Sequence, residues 1–316
     1  MKRGRTRRQF LSQLLGGSAA VLVSGRRSSL LAQGSVAGGS PSAGSGQGPK
    51  TGAAARRARQ VVRVTSGKVV DSYGRIDRGA LTDQVGRACM TIVGEYKFKD
   101  VMPKLLDPED RVGLVVNRAW GLGTSPDLVE FFYGWVVGVG GLPENNVAIW
   151  RGQPSDYDQD GLARSFLDWS TVIFTLPSLY AHWRLGMVGA LANILSLVRD
   201  PEPYYQSQGR GLGRLWTNPT FRQKHRLVVM DALWPYLGSA PNYDPELRWP
   251  QGTVIVSEDP VAVDVLAREV LLARRQLYRG EDWPLEPPAD YIEEADTTYG
   301  VGYCRREDIH LEDIWE

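Results

Sequence analysis

The sequence predicts an α/β domain built on a mainly parallel sheet with helices on both faces, plus a long loop insertion and a C-terminal extension. Short runs rich in Val, Ile and Leu alternate along the chain with segments of helical spacing. Those runs are apolar throughout, as in strands covered on both faces, and do not alternate polar with apolar. From Val61 onward the 316-residue chain leaves enough residues for one large core.

The first strand is read at Val61–Thr65. Asp77–Val93 has helical spacing, with Leu81, Val85, Ala88, Ile92 and Val93 apolar. Arg111–Val116 reads as the second strand. Ser125 as N-cap and Pro126 in the first turn open a helix to about Val139, which Gly140-Gly141 ends. Asn146–Trp150 is a third strand. An acidic loop and a short helix near Leu162–Leu167 lead to a fourth, Thr171–Thr175, stopped by Pro177. Gly186–Val198 is expected as a buried helix. Arg199–Lys224 is rich in Pro, Gly and aromatic residues and shows no period, which makes it the insertion. Leu227–Met230 and Thr253–Val256 are the fifth and sixth strands. Asp259-Pro260 opens a helix to about Leu277, and the tail reads as loop and short helix.

The N-terminus is organised differently. Arg7-Arg8-Gln9-Phe10-Leu11 follows a basic head and precedes a modestly apolar run, Leu14–Val23. This resembles a twin-arginine export signal over about residues 1–37, an address read by export machinery and not an anchor. Such a signal implies export to the periplasm or the outer face of the cytoplasmic membrane. The alternative is a basic tail for nucleic acid. Residues 38–59 are mostly Gly, Ser, Ala, Pro and Gln before a basic patch, the composition of a flexible tether. That leaves residues 60–316 as a single domain.

The net charge of +1 conceals a partition. Residues 1–60 contain eleven Lys and Arg and no acid, so the remainder, with 36 acidic side chains against 26 basic ones, carries about −10. A domain of that sign is a poor partner for nucleic acid. No run after the N-terminus reaches the roughly 20 apolar residues of a transmembrane helix. Cys89 and Cys304 are the only cysteines, too few for the chain to hold an iron–sulfur cluster alone. They read as free thiols, with a disulfide the alternative.

Ligands of parallel α/β sheets bind beyond the carboxyl ends of the strands. Four segments there carry polar residues: Asn117–Thr124; Pro177–His182 continuing to Gly189–Asn193; Asp231-Ala232-Leu233; and Ser257–Asp264. Taken in order, they resemble the domain of unknown function 362 family. That family shows a Lys-Pro-Asn strand end with Thr-x-Pro, then Pro-Lys-Leu-Lys-Thr-His, Gly-Ala-x-Lys-Asn, an Asp-Gly step and Ser-x-Asp-Pro-Val-Ala-x-Asp. The resemblance spans roughly Val61–Ile314 and implies an α/β fold, often with an attached or neighbouring iron–sulfur module. It establishes no single chemistry. The family's lysines are missing here: Val115, Ser178, Tyr180 and Ala192 stand in their places. Lysines converging on one face would suit an anion, so their joint loss implies an altered or lost site.

The candidate site residues are His182, Asp231 and Asp264 for chemistry, and Asn117, Thr124, His182, Asn193, Arg210 and Arg214 for ligand binding. His182, Asn117, Asp231 and Asp264 are expected to face one cleft. Each also has a structural reading: His182 as a brace of the strand end, Asn193 as an internal hydrogen-bonding residue, Asp259 as an N-cap, Asp264 with Arg268 as a helix-surface pair. Arg210, Arg214, Arg222 and Lys224 lie between Glu202 and Asp231, a stretch free of acid and rich in base, and read either as a basic lid over the cleft or as a solvated loop. No metal ligand set, Gly-x-Ser-x-Gly elbow, His-Glu-x-x-His helix or Walker loop is present. The function expected is an exported binding or accessory protein for a small anionic ligand or a redox (iron–sulfur) partner. The alternatives are an enzyme using His182 and Asp231 as acid–base or metal-binding groups, and a degenerate structural paralogue.

Overall fold

A computed structural model describes residues 60–150, 152 and 156–316. The export signal and the tether expected before Gln60 lie outside the described residues. Among the described residues nine strands form one sheet: β1 Gln60–Thr65, β2 Val112–Val116, β3 Val147–Ile149, β4 Val172–Leu176, β5 Ser178–His182, β6 Gly186–Val188, β7 His225–Ala240, β8 Thr253–Ser257 and β9 His310–Trp315. The order is β3-β2-β4-β7-β8-β1-β9, with β5 beside β7 and β6 beside β5. The pairs β2–β3, β2–β4, β4–β7, β5–β7 and β1–β9 are parallel; β7–β8, β1–β8 and β5–β6 are antiparallel. The expected α/β architecture, mostly parallel, is therefore formed.

The helices are α1 Arg78–Val93, α2 Phe98–Leu105, α3 Pro126–Gly138, α4 Arg164–Trp169, α5 Ala190–Asn193, α6 Glu202–Gln206, α7 Leu212–Trp216, α8 Pro219–Arg222, α9 Pro260–Arg279 and α10 Tyr291–Thr297. On one face of the sheet α1, α2 and α3 bury Leu81, Val85, Met102, Leu128 and Phe132 against Val62, Leu114, Phe174 and Val229. On the other, α5, α7, α9 and α10 bury Leu191, Leu215, Val263, Leu266 and Ile292 against Val115, Ile173, Met230 and Ile255. Alternate residues of each strand thus serve opposite cores, which is why the strands read as unbroken apolar runs.

Three expectations change. Gly186–Val198 is not a helix. It divides into β6, the single turn α5 and a 3-10 turn at Ile194–Leu197. Gly186 takes φ 76, a left-handed conformation no helix interior accepts. The fifth strand is not four residues but sixteen, because β4 and β5, interrupted at Pro177, run beside β7 in succession. The tail adds β9 as an edge strand. The insertion Arg199–Lys224 holds the three short helices α6, α7 and α8.

Candidate functional site at the carboxyl ends of the strands

The connection from β2 to α3 is pinned from several sides. Asn117 N–H donates to Thr124 Oγ1 at 3.0 Å, and Thr124 N–H returns a bond to Asn117 O at 3.0 Å. Thr124 Oγ1 also donates to Leu176 O at the end of β4, and Ser178 Oγ donates to Leu122 O at 2.6 Å. Asn117 Oδ1 accepts from Ala119 N at 2.8 Å. A Cβ on Gly123 would stand 2.7 Å from Asn117 O, so this tight return requires glycine. Arg248 reaches in from beyond β7: its two terminal nitrogens donate to Trp234 O at 2.5 Å and Gly121 O at 3.0 Å.

Asp231 sits at the centre of this end. Its carboxylate accepts from Ser125 N at 2.7 Å and Leu233 N at 3.1 Å. It holds the backbone N–H of Ser125, the residue that precedes α3, while the expected N-cap bond from the Ser125 side chain is not made. Burial pushes the Asp231 carboxyl above its usual range, against those two N–H groups and nearby Arg248. Around it three buried polar atoms have no hydrogen-bond partner: Ser125 Oγ, Trp234 Nε1 and Arg248 Nε. Arg248 lies over the Trp234 ring at 5.0 Å, and burial lowers its guanidinium from the ordinary value.

His182 is not part of that cluster. Ser178 pairs with Asp231 and His182 with Ala240, so His182 is four strand residues, about 13 Å, further along the sheet. Its Nδ1 accepts from Arg184 N and Leu185 N, both at 3.2 Å, which puts the ring proton on Nε2. Burial and Arg184 bring its pKa down to about 4, and its ring stacks on Tyr205 at 5.5 Å. At neutral pH it is a fixed donor and not a base. The expected His182–Asp231 acid–base pair is not assembled.

Asp264 belongs to the opposite layer. It is fully buried in α9 and accepts from Ala190 N at 2.6 Å and Leu191 N at 2.9 Å, capping α5. Asp231 alternates with Leu227 and Val229, which face α1–α3. The single cleft expected for Asn117, His182, Asp231 and Asp264 is therefore not formed. β8 runs against its neighbours, so Ser257–Asp259 falls at the other end of the sheet, beside Val228. Asp259 caps α9 there, accepting from Val261 N and Ala262 N. Arg268 pairs with Glu293 of α10 and not with Asp264 as a surface pair.

Asn193 is buried: Nδ2 donates to Val115 O at 3.0 Å, and Oδ1 has no partner. Val115, Tyr180 and Ala192, three positions that lack the expected lysines, converge in one core cluster with Ser178 buried nearby. Tyr180 OH meets Asn117 Nδ2 at 3.5 Å. The space lysines would occupy on this face is filled by apolar side chains.

The basic stretch finds its charges within the chain. Arg214 pairs with Asp160 at 3.2 Å, Lys224 donates to Leu167 O, and Arg222 donates to Gly300 O. Asn218 Nδ2 adds bonds to Asp158 and Asp160, so the acidic loop and the insertion hold each other. Arg210 is exposed. Nothing in this arrangement turns Arg210 or Arg214 toward Asp231.

Residues 141–269 match the model of the domain of unknown function 362 family. The match supports the resemblance to that family. It takes in Ser178–His182, Asn193, Asp231 and Asp264, and it begins after Asn117 and Thr124. No curated protein and no solved structure matches the chain. Among the described residues no group of three or more His, Cys, Asp or Glu is placed to hold a metal ion. Among them, too, no helix is long and apolar enough to cross a membrane. Cys89 and Cys304 are free; burial pushes the Cys89 thiol up to about 12. Arg248 and Trp234 escaped sequence reasoning because nothing local marks them. Only the length of β7, which carries the chain past Asp231, brings Arg248 back to the strand ends.

Proposed function

We propose that this chain is an exported cell-envelope protein that binds a small anionic ligand at the carboxyl ends of β2, β4 and β7, as a binding or accessory protein. One observation supports this most: Ser125 Oγ, Trp234 Nε1 and Arg248 Nε are buried without partners at one strand end. Buried donors without partners are costly, and a ligand that accepts from them offsets that cost. All three can donate, the guanidinium adds charge, and the N-terminus of the 13-residue α3 opens at the same place. The acid–base reading is less well supported, because His182 and Asp231 stand apart and His182 Nδ1 is occupied. Export rests on Arg7-Arg8 and the apolar run behind them.

Titration calorimetry of the purified protein with inorganic phosphate and with acetate tests the reading. Ser125→Ala removes a hydroxyl with no partner inside the protein, so thermal stability should hold while affinity falls several-fold. Arg248→Met should cost roughly tenfold or more, the worth of a charged hydrogen bond. A parent protein that binds neither anion, and whose native mass spectrum shows no retained small molecule, would rule the reading out.

A further inference from the structure

We infer that the anion carries a flat ring, which packs against the Trp120–Tyr243 corner beside Arg248. This rests on the anion reading above and adds to it the class of ligand. Trp120 is 89% exposed, yet the loop that presents it is held by hydrogen bonds to β4, β5 and Arg248. The neighbours of Trp120 on both sides are fixed: Ala119 N is bound to Asn117 Oδ1, Gly121 O to Arg248, Leu122 O to Ser178, and Leu122 N to Ala119 O at 3.1 Å. The indole is therefore held out by structure and is not the tip of a loose loop. Leaving an indole in water forgoes about 2–3 kcal/mol of burial, which a covering group would recover.

The surroundings indicate what covers it. Tyr243, 40% exposed, meets Trp120 edge-on, with centroids 6.5 Å apart and planes at 74°. Tyr243 rests on buried Tyr236 at 5.4 Å, and Tyr236 OH is fixed by donating to Asn242 O and accepting from Asp244 N. Two rings at such an angle make a corner whose Trp120 face suits a planar group. Arg248 ties this corner to the partnerless donors: one terminal nitrogen holds Gly121 O, next to Trp120, and its guanidinium is acted on by both Tyr243 and Asp231. A ring on the corner would lie beside the cation that takes the anionic head. An aryl phosphate or aryl carboxylate has that chemistry. A protein partner would need a broader apolar surface than one Trp and one Tyr.

The test compares inorganic phosphate with phenyl phosphate by calorimetry on the parent protein and on Trp120→Ala and Trp120→Phe. Stacking of this kind is worth roughly three- to tenfold in affinity. Phenyl phosphate should bind tighter than phosphate by that factor in the parent. Trp120→Ala should erase the preference and leave phosphate affinity unchanged, and Trp120→Phe should restore part of it. Equal affinity for the two probes in the parent overturns the ring inference and leaves the anion reading intact. Failure of both probes to bind overturns both. Self-association in sedimentation runs that Trp120→Ala abolishes, with no preference between probes, would assign the indole to an interface between copies and overturn the inference as well.

Discussion

Asp264 shows how a residue that looks functional in sequence earns its place by backbone chemistry. Its carboxylate supplies the two acceptors for the first N–H groups of α5, and Gly189 leaves it room, since a Cβ there would stand 2.2 Å from Asp264 Oδ1. Burial pushes its carboxyl up to about 7, against the lowering by those two N–H groups. A carboxyl whose folded pKa exceeds its unfolded one stabilises the fold most below about pH 4 and loses that contribution as pH rises through 7. His182 and His225, held down at about 4 and about 3, act in the opposite sense between pH 6.5 and 4. The readout is therefore a difference between variant and parent. Asp264→Asn should lose less stability at pH 8 than at pH 5 in urea unfolding, with the gap on the order of a few kcal/mol. A gap of zero would show that Asp264 does not titrate across this window. Asp264→Ala, which does not titrate either, should show the same gap and cost roughly 2–4 kcal/mol more than Asp264→Asn at each pH, because two buried N–H groups lose their acceptor.

At the scale of elements, what the sequence disclosed and what it hid have different physical origins. β2, β4, α1 and α9 were legible because each is local: an apolar run closed by a turn, or a period of 3.6 between Asp77 and Gly94 and between Asp259 and Gly280. The strand ends near Asn117 and Asp231 followed from them. β5 and the far half of β7 were hidden because they form by pairing with each other across a long separation, and β6 because it is three residues long and pairs with β5 alone in a short hairpin. α5 is set by a carboxylate 74 residues away. β9 was hidden for another reason: as an edge strand half in water its residues show no clean alternation. β9 is nevertheless tied in by its full pairing with β1 and by Arg63 bound in a fork to Asp313 at 2.8 and 2.5 Å. Deleting residues 310–316 should strip β1 of one neighbour. The melting temperature should fall by on the order of 5–10 °C and aggregation should rise, because a central strand becomes an open edge. Unchanged melting and solubility would mean that β9 contributes nothing to the sheet.

At the scale of the whole molecule the charge partition separates a basic N-terminal stretch from an acidic remainder. The part from Val61 carries about −10 and every basic residue of the first sixty positions is unopposed by acid. An acidic domain gains nothing from the anionic inner leaflet, so on the export reading attraction to the membrane would come from the N-terminus. Leu14–Val23 is half the length needed to span a bilayer, which suits a segment read and removed better than one that anchors. On the export reading proposed above, Ser35-Val36-Ala37 fits a small-residue cleavage site and Leu30-Leu31-Ala32 fits it less well. If Arg7-Arg8 is the address, a receptor must read the guanidinium pair itself, because its planar fork is what lysine lacks. Changing both to lysine keeps the charge and removes the fork. That variant should stay in the cytoplasm at its unprocessed mass while the parent appears processed outside it, as followed by fractionation and mass spectrometry. A lysine pair that exports as well as the parent would show that charge alone, or another route, moves the chain, and the twin-arginine reading would fall.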